Sequence, residues 1–190
     1  MEALQKRTPM FYGMIMAFMT VCSVTYADQT DPQLNYLFSA LRANTSKLQA
    51  ESLQAEIWAR WNIHPNDTFA NEQLIKGIEL MNFGHLKTAE NIFTSVITRY
   101  PDFAEAWNKR ATVRFLLGND PGSIDDIMET IRLEPRHFGA LSGLGMIRYR
   151  AKDFLGALNA YKAAQLFNPH LPEIENIIVE LERKLNGRGI

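Results

Sequence analysis

Residues 104–137 read AEAWNKRATVRFLLGNDPGSIDDIMETIRLEPRH, and the pattern of this stretch occurs once directly before it and once directly after. Pro101, Pro135 and Pro169 fall 34 residues apart. So do Ala89, Ser123 and Ala157; Gly77, Ala111 and Gly145; and Phe93, Ile127 and Tyr161. A fixed period of this size marks stacked supersecondary units that share one core.

Each unit holds two runs of apolar residues at helical spacing around a polar turn. The first, 69–103, carries Leu74, Gly77, Ile78, Leu80 and Met81, turns at Asn82-Phe83-Gly84-His85, and continues with Leu86, Ala89, Ile92, Phe93, Val96 and Ile97. The second, 104–137, places Trp107, Ala111, Phe115 and Leu116 before its turn and Ile124, Ile127, Ile131 and Leu133 after it. Asp102 and Glu105 have the spacing of a capping box at its start. The third, 138–171, repeats the plan from Leu141 to Leu166. Residues 172–190 read as a closing helix, opened by Pro172 and stopped at Asn186-Gly187. Its stripe is Ile174, Ile177, Ile178, Leu181 and Leu185.

Residues 28–68 form a helical pair outside the period. Asp31-Pro32 starts one helix with Leu34, Leu37, Phe38 and Leu41. Ser46 and Gln49 form a capping box for another, with Leu53, Ile57, Trp58 and Trp61. This pair reads as a divergent repeat or N-terminal cap, because end units of a stack must differ from middle ones. The expected fold is all-α, a solenoid of helix–turn–helix units with capping helices at both ends.

Residues 1–27 read as a secretory signal peptide. Lys6 and Arg7 precede the uncharged run MFYGMIMAFMTVCSV (10–24), and Thr25-Tyr26-Ala27 places small residues for cleavage before Asp28. The run is short for a membrane span, which argues against an uncleaved anchor. The only cysteine, Cys22, lies in this segment, and Val21 before it is a poor residue for lipid attachment. The expectation is an exported, periplasmic chain with no membrane attachment after cleavage and no disulfide. The net charge of −1 gives no basic face for nucleic acid.

The repeat residues resemble the tetratricopeptide repeat (TPR), a 34-residue unit with a W-x2-L-G-x2-Y … A-x3-F … P pattern. The middle unit offers Trp107, Arg110-Ala111, Arg114, Ser123, Ile127 and Pro135. The first offers Gly77, Ala89, Phe93 and Pro101, and the third Leu141, Leu144-Gly145, Ala157, Tyr161 and Pro169. Small exported TPR proteins of Gram-negative bacteria are similar in arrangement. The middle unit departs from the pattern, with Arg110 and Arg114 where Leu and Tyr are expected. An unpaired buried guanidinium is very costly, so one of them is expected to pair with Asp126 on the partner helix.

The resemblance implies a concave face lined by the first helix of each unit. The inward positions are Asn71, Leu74, Ile78 and Met81; Glu105, Asn108, Thr112 and Phe115; and Gly139, Ser142, Met146 and Tyr149. The candidate partner-binding residues are Asn108, Thr112, Phe115, Arg114, Ser142, Met146, Tyr149 and Arg150. Arg114, Arg148 and Arg150 would add a cationic end for an acidic motif or a chain terminus. Alternatively, Leu74, Ile78 and Met81 pack on the N-terminal helices.

No catalytic constellation, metal site or cofactor site emerges. His64, His85, His137 and His170 lack ligand spacing, and Asp125-Asp126 are helical neighbours pointing about 100° apart. Gly143-Leu144-Gly145 falls within a helix and follows no strand, and no serine has a nucleophile-elbow setting. Three functions stay open: a non-catalytic scaffold binding a protein or peptide in the groove; a self-associating structural subunit using Trp58, Trp61 or the C-terminal stripe; and a groove binder of a small molecule or glycan.

Overall fold

The computed structural model describes residues 29–43, 46–65 and 67–187. The expected signal peptide, 1–27, lies outside them. Among the described residues there are nine α-helices and no strand: α1 Gln33–Arg42, α2 Lys47–Trp61, α3 Thr68–Asn82, α4 Leu86–Arg99, α5 Ala104–Leu116, α6 Asp120–Leu133, α7 Phe138–Arg150, α8 Phe154–Phe167 and α9 Pro172–Asn186. No helix among them is long and apolar enough to cross a membrane.

Helices α3–α8 form three antiparallel pairs. Close approach within a pair is set by two complementary residues. A Cβ on Gly77 would lie 2.4 Å from the Phe93 ring, and one on Gly145 would lie 2.7 Å from Tyr161. The middle pair uses Ala111 against the smaller Ile127 instead, both 2 % exposed. Each intra-pair turn needs one left-handed residue at the same point of the period: Gly84 (φ 80°), Gly118 (φ 78°) and Lys152 (φ 61°). Lysine carries a steric penalty there that glycine avoids. Lys152→Gly is therefore expected to stabilise the protein by about 1 kcal/mol in urea unfolding.

The N-terminal pair departs from expectation. It does not stack ahead of α3. It lies instead along the edge that carries the three inter-repeat connections, and its core is shared with the far end of the stack. Leu34, Leu37, Phe38, Leu41, Ile57 and Trp61 are buried in one cluster with Phe138, Leu141, Leu158, Tyr161, Ile174, Ile178 and Leu181. Trp61 stacks on His137 at 4.1 Å, and Trp58 meets Phe138 edge-on at 5.5 Å. Phe38 touches Phe138 and Phe167.

Polar contacts follow the same edge. Gln29 donates to Asp102 O, Arg136 donates to Asn35 Oδ1 at 2.8 Å, and the His170 ring lies 3.1 Å from Leu41 O. At the other end His64 packs on Tyr100 and Phe103, with both its backbone groups held by Asn71. The pair is thus a strap over all three connections. Its tryptophans pack within the chain, Trp61 buried and Trp58 partly so, as do Ile174, Ile178 and Leu181 of the C-terminal stripe, with Ile177 and Leu185 partly buried against the same cluster.

The open face of α3 shows why the N-terminal pair does not stack on it. Positions filled by buried Ala106 and Val113 in the second unit, and by Ala140 and Ile147 in the third, are exposed Glu72 and Glu79 in the first. Leu74, Ile78 and Met81 pack with the α4–α5 cluster around Phe93 and Phe103, not on the N-terminal pair. The Asp102–Glu105 capping box does not form. The N-cap of α5 is Phe103, without a side-chain cap, and Glu105 is drawn inward.

Candidate functional site

Two side-chain networks form around α5, and they have opposite fates. Arg110 and Arg114 both turn away from the inner face. Arg110 grips Asp126 with two parallel bonds, Nε to Oδ2 at 2.9 Å and Nη2 to Oδ1 at 2.7 Å, as expected. Arg114 reaches the same carboxylate at 3.0 Å and also binds Glu90 at 3.1 Å and Gly122 O at 3.2 Å. Asp126 is 1 % exposed and neutralises two guanidiniums between α5 and α6. Arg114 is therefore a structural residue and not a groove contact, correcting the sequence reading.

The second network is sealed beneath the strap. Ala140 N–H donates to His137 Nδ1 at 3.1 Å, so the ring proton sits on Nε2 and is donated to Glu105 Oε2 at 2.8 Å. Asn108 Nδ2 donates to the same oxygen at 3.1 Å, and Lys109 Nζ stands 2.9 Å from Oε1. Burial alone would raise the Glu105 carboxyl; the charge of Lys109, then the His137 bond, outweigh it and hold the carboxyl below its ordinary range.

A depressed folded-state pKa contributes stability above the unfolded value, about 4.3 for Glu, and that contribution is lost as pH falls through the folded value. Glu105→Gln should flatten the acid limb of a plot of urea midpoint against pH. An unchanged slope would show that Glu105 does not carry it. The pair offers no catalysis: Glu105 is 1 % exposed and His137 0 %, so no substrate reaches either.

Above this plug the inner face opens. A cleft of about 360 Å³ lies between α5 and α7, with α6 as its floor. Asn108, Thr112, Phe115 and Leu116 line one wall, Ser142 and Met146 the other, and Ser123 and Ile127 the floor. Five of the eight candidate residues thus meet here: Asn108, Thr112, Phe115, Ser142 and Met146. The cleft has room because α7 presents Gly143 to it, with only Ile127 Cδ1 near the position a Cβ would take.

The remaining candidates stand elsewhere. The Tyr149 hydroxyl donates to Glu180 at 2.9 Å and its ring packs on Phe154, so it joins the α8–α9 contact. Arg150 does not line the cleft; its guanidinium lies over the ring of the cleft residue Phe115, 4.1 Å from the centroid, and is ion-paired with Asp120. Arg148 pairs with Asp153 at 2.6 Å. The expected cationic end is absent as a free site, since Arg114, Arg148 and Arg150 are each neutralised from within the chain.

What the sequence did not reveal is the lower half of the inner face. Trp58 covers Gly139, where an added Cβ would lie 2.6 Å from the indole, and Lys109 lies over the same indole at 5.3 Å. The glycine at an inward position was the only available signal. Among the described residues no group of three or more His, Cys, Asp or Glu side chains is placed to hold a metal.

No protein-family model matches the chain. It is 36 % identical over 115 residues, 60 % of its length, to a TPR repeat-containing protein of Rhizobium etli, and covers 56 % of that protein. It is 31 % identical over 101 residues, half of its length, to tetratricopeptide repeat protein 36 of Mus musculus, and covers 54 % of it. The chain thus spans about half the length of these curated relatives. Among solved structures it resembles the first TPR of Spaghetti bound to the HSP90 peptide SRMEEVD, with TM-score 0.59 and 20 % identity over 62 % of this chain and 93 % of that one. It also resembles the MamA protein, with TM-score 0.57 and 17 % identity over 80 % of this chain and 81 % of that one. Both likenesses concern the fold.

Proposed function

We propose that this chain, a tetratricopeptide-repeat protein, is a non-catalytic interaction module of the cell envelope that holds a segment of a partner polypeptide in the α5–α7 cleft. The observation that carries the reading is the cleft itself, a preformed concavity of about 360 Å³ on the inner face of the second and third repeats. Its size falls in the range of ordinary ligand sites, roughly 300–1,000 Å³. Leu116 and Met146 on opposite rims are 53 % and 49 % exposed, and apolar rims of this kind suit a partner. The solved Spaghetti domain holds a peptide on a related fold, which supports a polypeptide ligand by analogy.

Export through residues 1–27 is the second element of the proposal. A mature N-terminus beginning at Asp28 in the envelope fraction is the expected result, and an intact Met1 in the cytosolic fraction would remove the envelope setting alone. The binding element is tested by a photo-crosslinking residue in place of Leu116, with Val179 of α9, 61 % exposed, as the comparison. A discrete polypeptide adduct from Leu116 and none from Val179 is expected. Equal labelling from both would defeat the cleft as the site.

Gly143 adds a quantitative check. Glycine inside a helix costs about 0.5–1 kcal/mol relative to alanine. A Cβ here would lie 3.6 Å from Ile127 Cδ1, an ordinary contact with the cleft floor. Gly143→Ala should therefore stabilise the fold by about 0.5–1 kcal/mol while weakening partner binding by narrowing the cleft. A more stable variant that binds as before would show that the room beside Ile127 is not used.

A further inference from the structure

We infer that the segment held by this cleft is an extended, uncharged stretch with an apolar side chain at its centre, taken from within a partner chain and not from an acidic or carboxylate-ended tail. The inference rests on the cleft being a polypeptide site and specifies what enters it. Four observations point the same way.

None of the thirteen residues lining the cleft is charged. The cations that α5 and α7 carry beside its walls are ion-paired within the chain: Lys109 with Glu105, Arg114 with Glu90 and Asp126, Arg148 with Asp153 and Arg150 with Asp120. An acidic ligand would add a second carboxylate to a guanidinium whose charge is already offset, with little net electrostatic gain.

The lower inner face is closed by the protein's own α2, with Trp58 over Gly139 and Glu105 sealed beneath. A ligand therefore meets the upper part, where Phe115, Leu116 and Met146 form an apolar rim above the Thr112 and Ser142 hydroxyls. The reach is short, so one apolar anchor and its neighbours fill it.

The two hydroxyls on the walls have their protons committed. Thr112 Oγ1 donates to Asn108 O at 3.0 Å, and Ser142 Oγ donates to Phe138 O at 2.6 Å. Each oxygen keeps acceptor capacity only. The complementary ligand group is a donor. Backbone N–H groups of an extended segment supply it, whereas those within a helix are already bonded.

The test uses two random dodecapeptide libraries, one displayed within a host loop and one with a free C-terminus, selected against the 28–190 protein. The internal library should yield uncharged apolar sequences. Their dissociation constants should change less than about twofold between about 0.05 and about 0.5 M salt, because no ion pair is formed. Met146→Glu should weaken them about tenfold or more by placing a charge in the apolar rim. Met146 is half exposed, so this variant should keep its melting temperature, which is measured alongside. The double change Thr112→Val, Ser142→Ala should weaken them about fivefold through the lost acceptors.

Enrichment of acidic or C-terminal sequences with steep salt dependence would overturn this inference and leave a polypeptide-binding cleft standing. Apolar peptides indifferent to Met146→Glu would place their site elsewhere and overturn it as well. No enrichment from either library would overturn both readings.

Discussion

Asp126→Ala should destabilise the protein by about 3–5 kcal/mol, because it removes the single carboxylate that two guanidiniums share and leaves them facing each other. The Arg110 side chain is 10 % exposed and that of Arg114 22 %. Arg114 retains Glu90 and the Gly122 carbonyl, whereas Arg110 keeps only the Thr94 hydroxyl at 3.2 Å and the Trp107 ring at 4.9 Å. Arg110 thus bears most of the loss. The double change Arg110→Leu, Asp126→Leu restores the leucine that the repeat pattern calls for and should recover most of the stability, since apolar replacement of a buried pair is often neutral or better. Urea unfolding of the single and double variants decides this. A cost below about 1 kcal/mol for Asp126→Ala would mean that water reaches the pair and that its geometry contributes little.

The second large effect is expected at Trp61. The side chain is 1 % exposed, lies flat on His137 and touches Phe38, Trp58 and Phe138. Truncation to Ala should cost about 3–5 kcal/mol. For a chain of this size that lowers the melting temperature by about 6–20 °C. The loss has a location as well as a size. With Trp61 gone, α2 loses its anchor over the second connection, and trypsin should cut after Arg60 under conditions that spare the wild-type protein. A variant that melts early but resists cleavage would show that the strap is held mainly by Phe38 and Leu41 of α1, and the anchoring role of Trp61 would fall.

The repeats were legible because their period repeats their physics. Gly77 with Phe93, Ala111 with Ile127 and Gly145 with Tyr161 form three size-matched pairs, each readable at 16-residue spacing. The Arg110–Asp126 pair was legible for a related reason: a charged residue at a packed position needs a partner, and the facing helix offers few. The strap was not legible in the same way. Trp61 on His137 and Leu41 on His170 join residues far apart in sequence with no period to relate them.

One clue was available. Glu72 and Glu79 replace the alanine and aliphatic residues of the later units, so the face ahead of α3 had to meet water and the N-terminal pair had to go elsewhere. The site was half legible. Thr112, Phe115, Ser142 and Met146 follow from the inward register. The neutralised Arg150 does not, because Asp120 in the first turn of α6 is 30 residues away and meets it only across the stacked units.

The strap also reverses the usual order of assembly. In an open repeat array each unit contacts only its neighbours, so structure can begin anywhere and spread along the chain. Here α1 and α2, made before the repeats, find their partners last. Beyond one another, Leu34, Phe38 and Trp61 lack the rest of their cluster until Phe138, Tyr161 and Leu181 have been made. The nascent chain carries an unsatisfied apolar hairpin through most of its synthesis, and that hairpin closes the structure only when the final turns of α9 arrive. Completion is therefore a single late event. A chain cut short anywhere before about residue 181 would lack the lid of its own core, and it would be open to proteases and holdase chaperones in a way that a truncated open array is not.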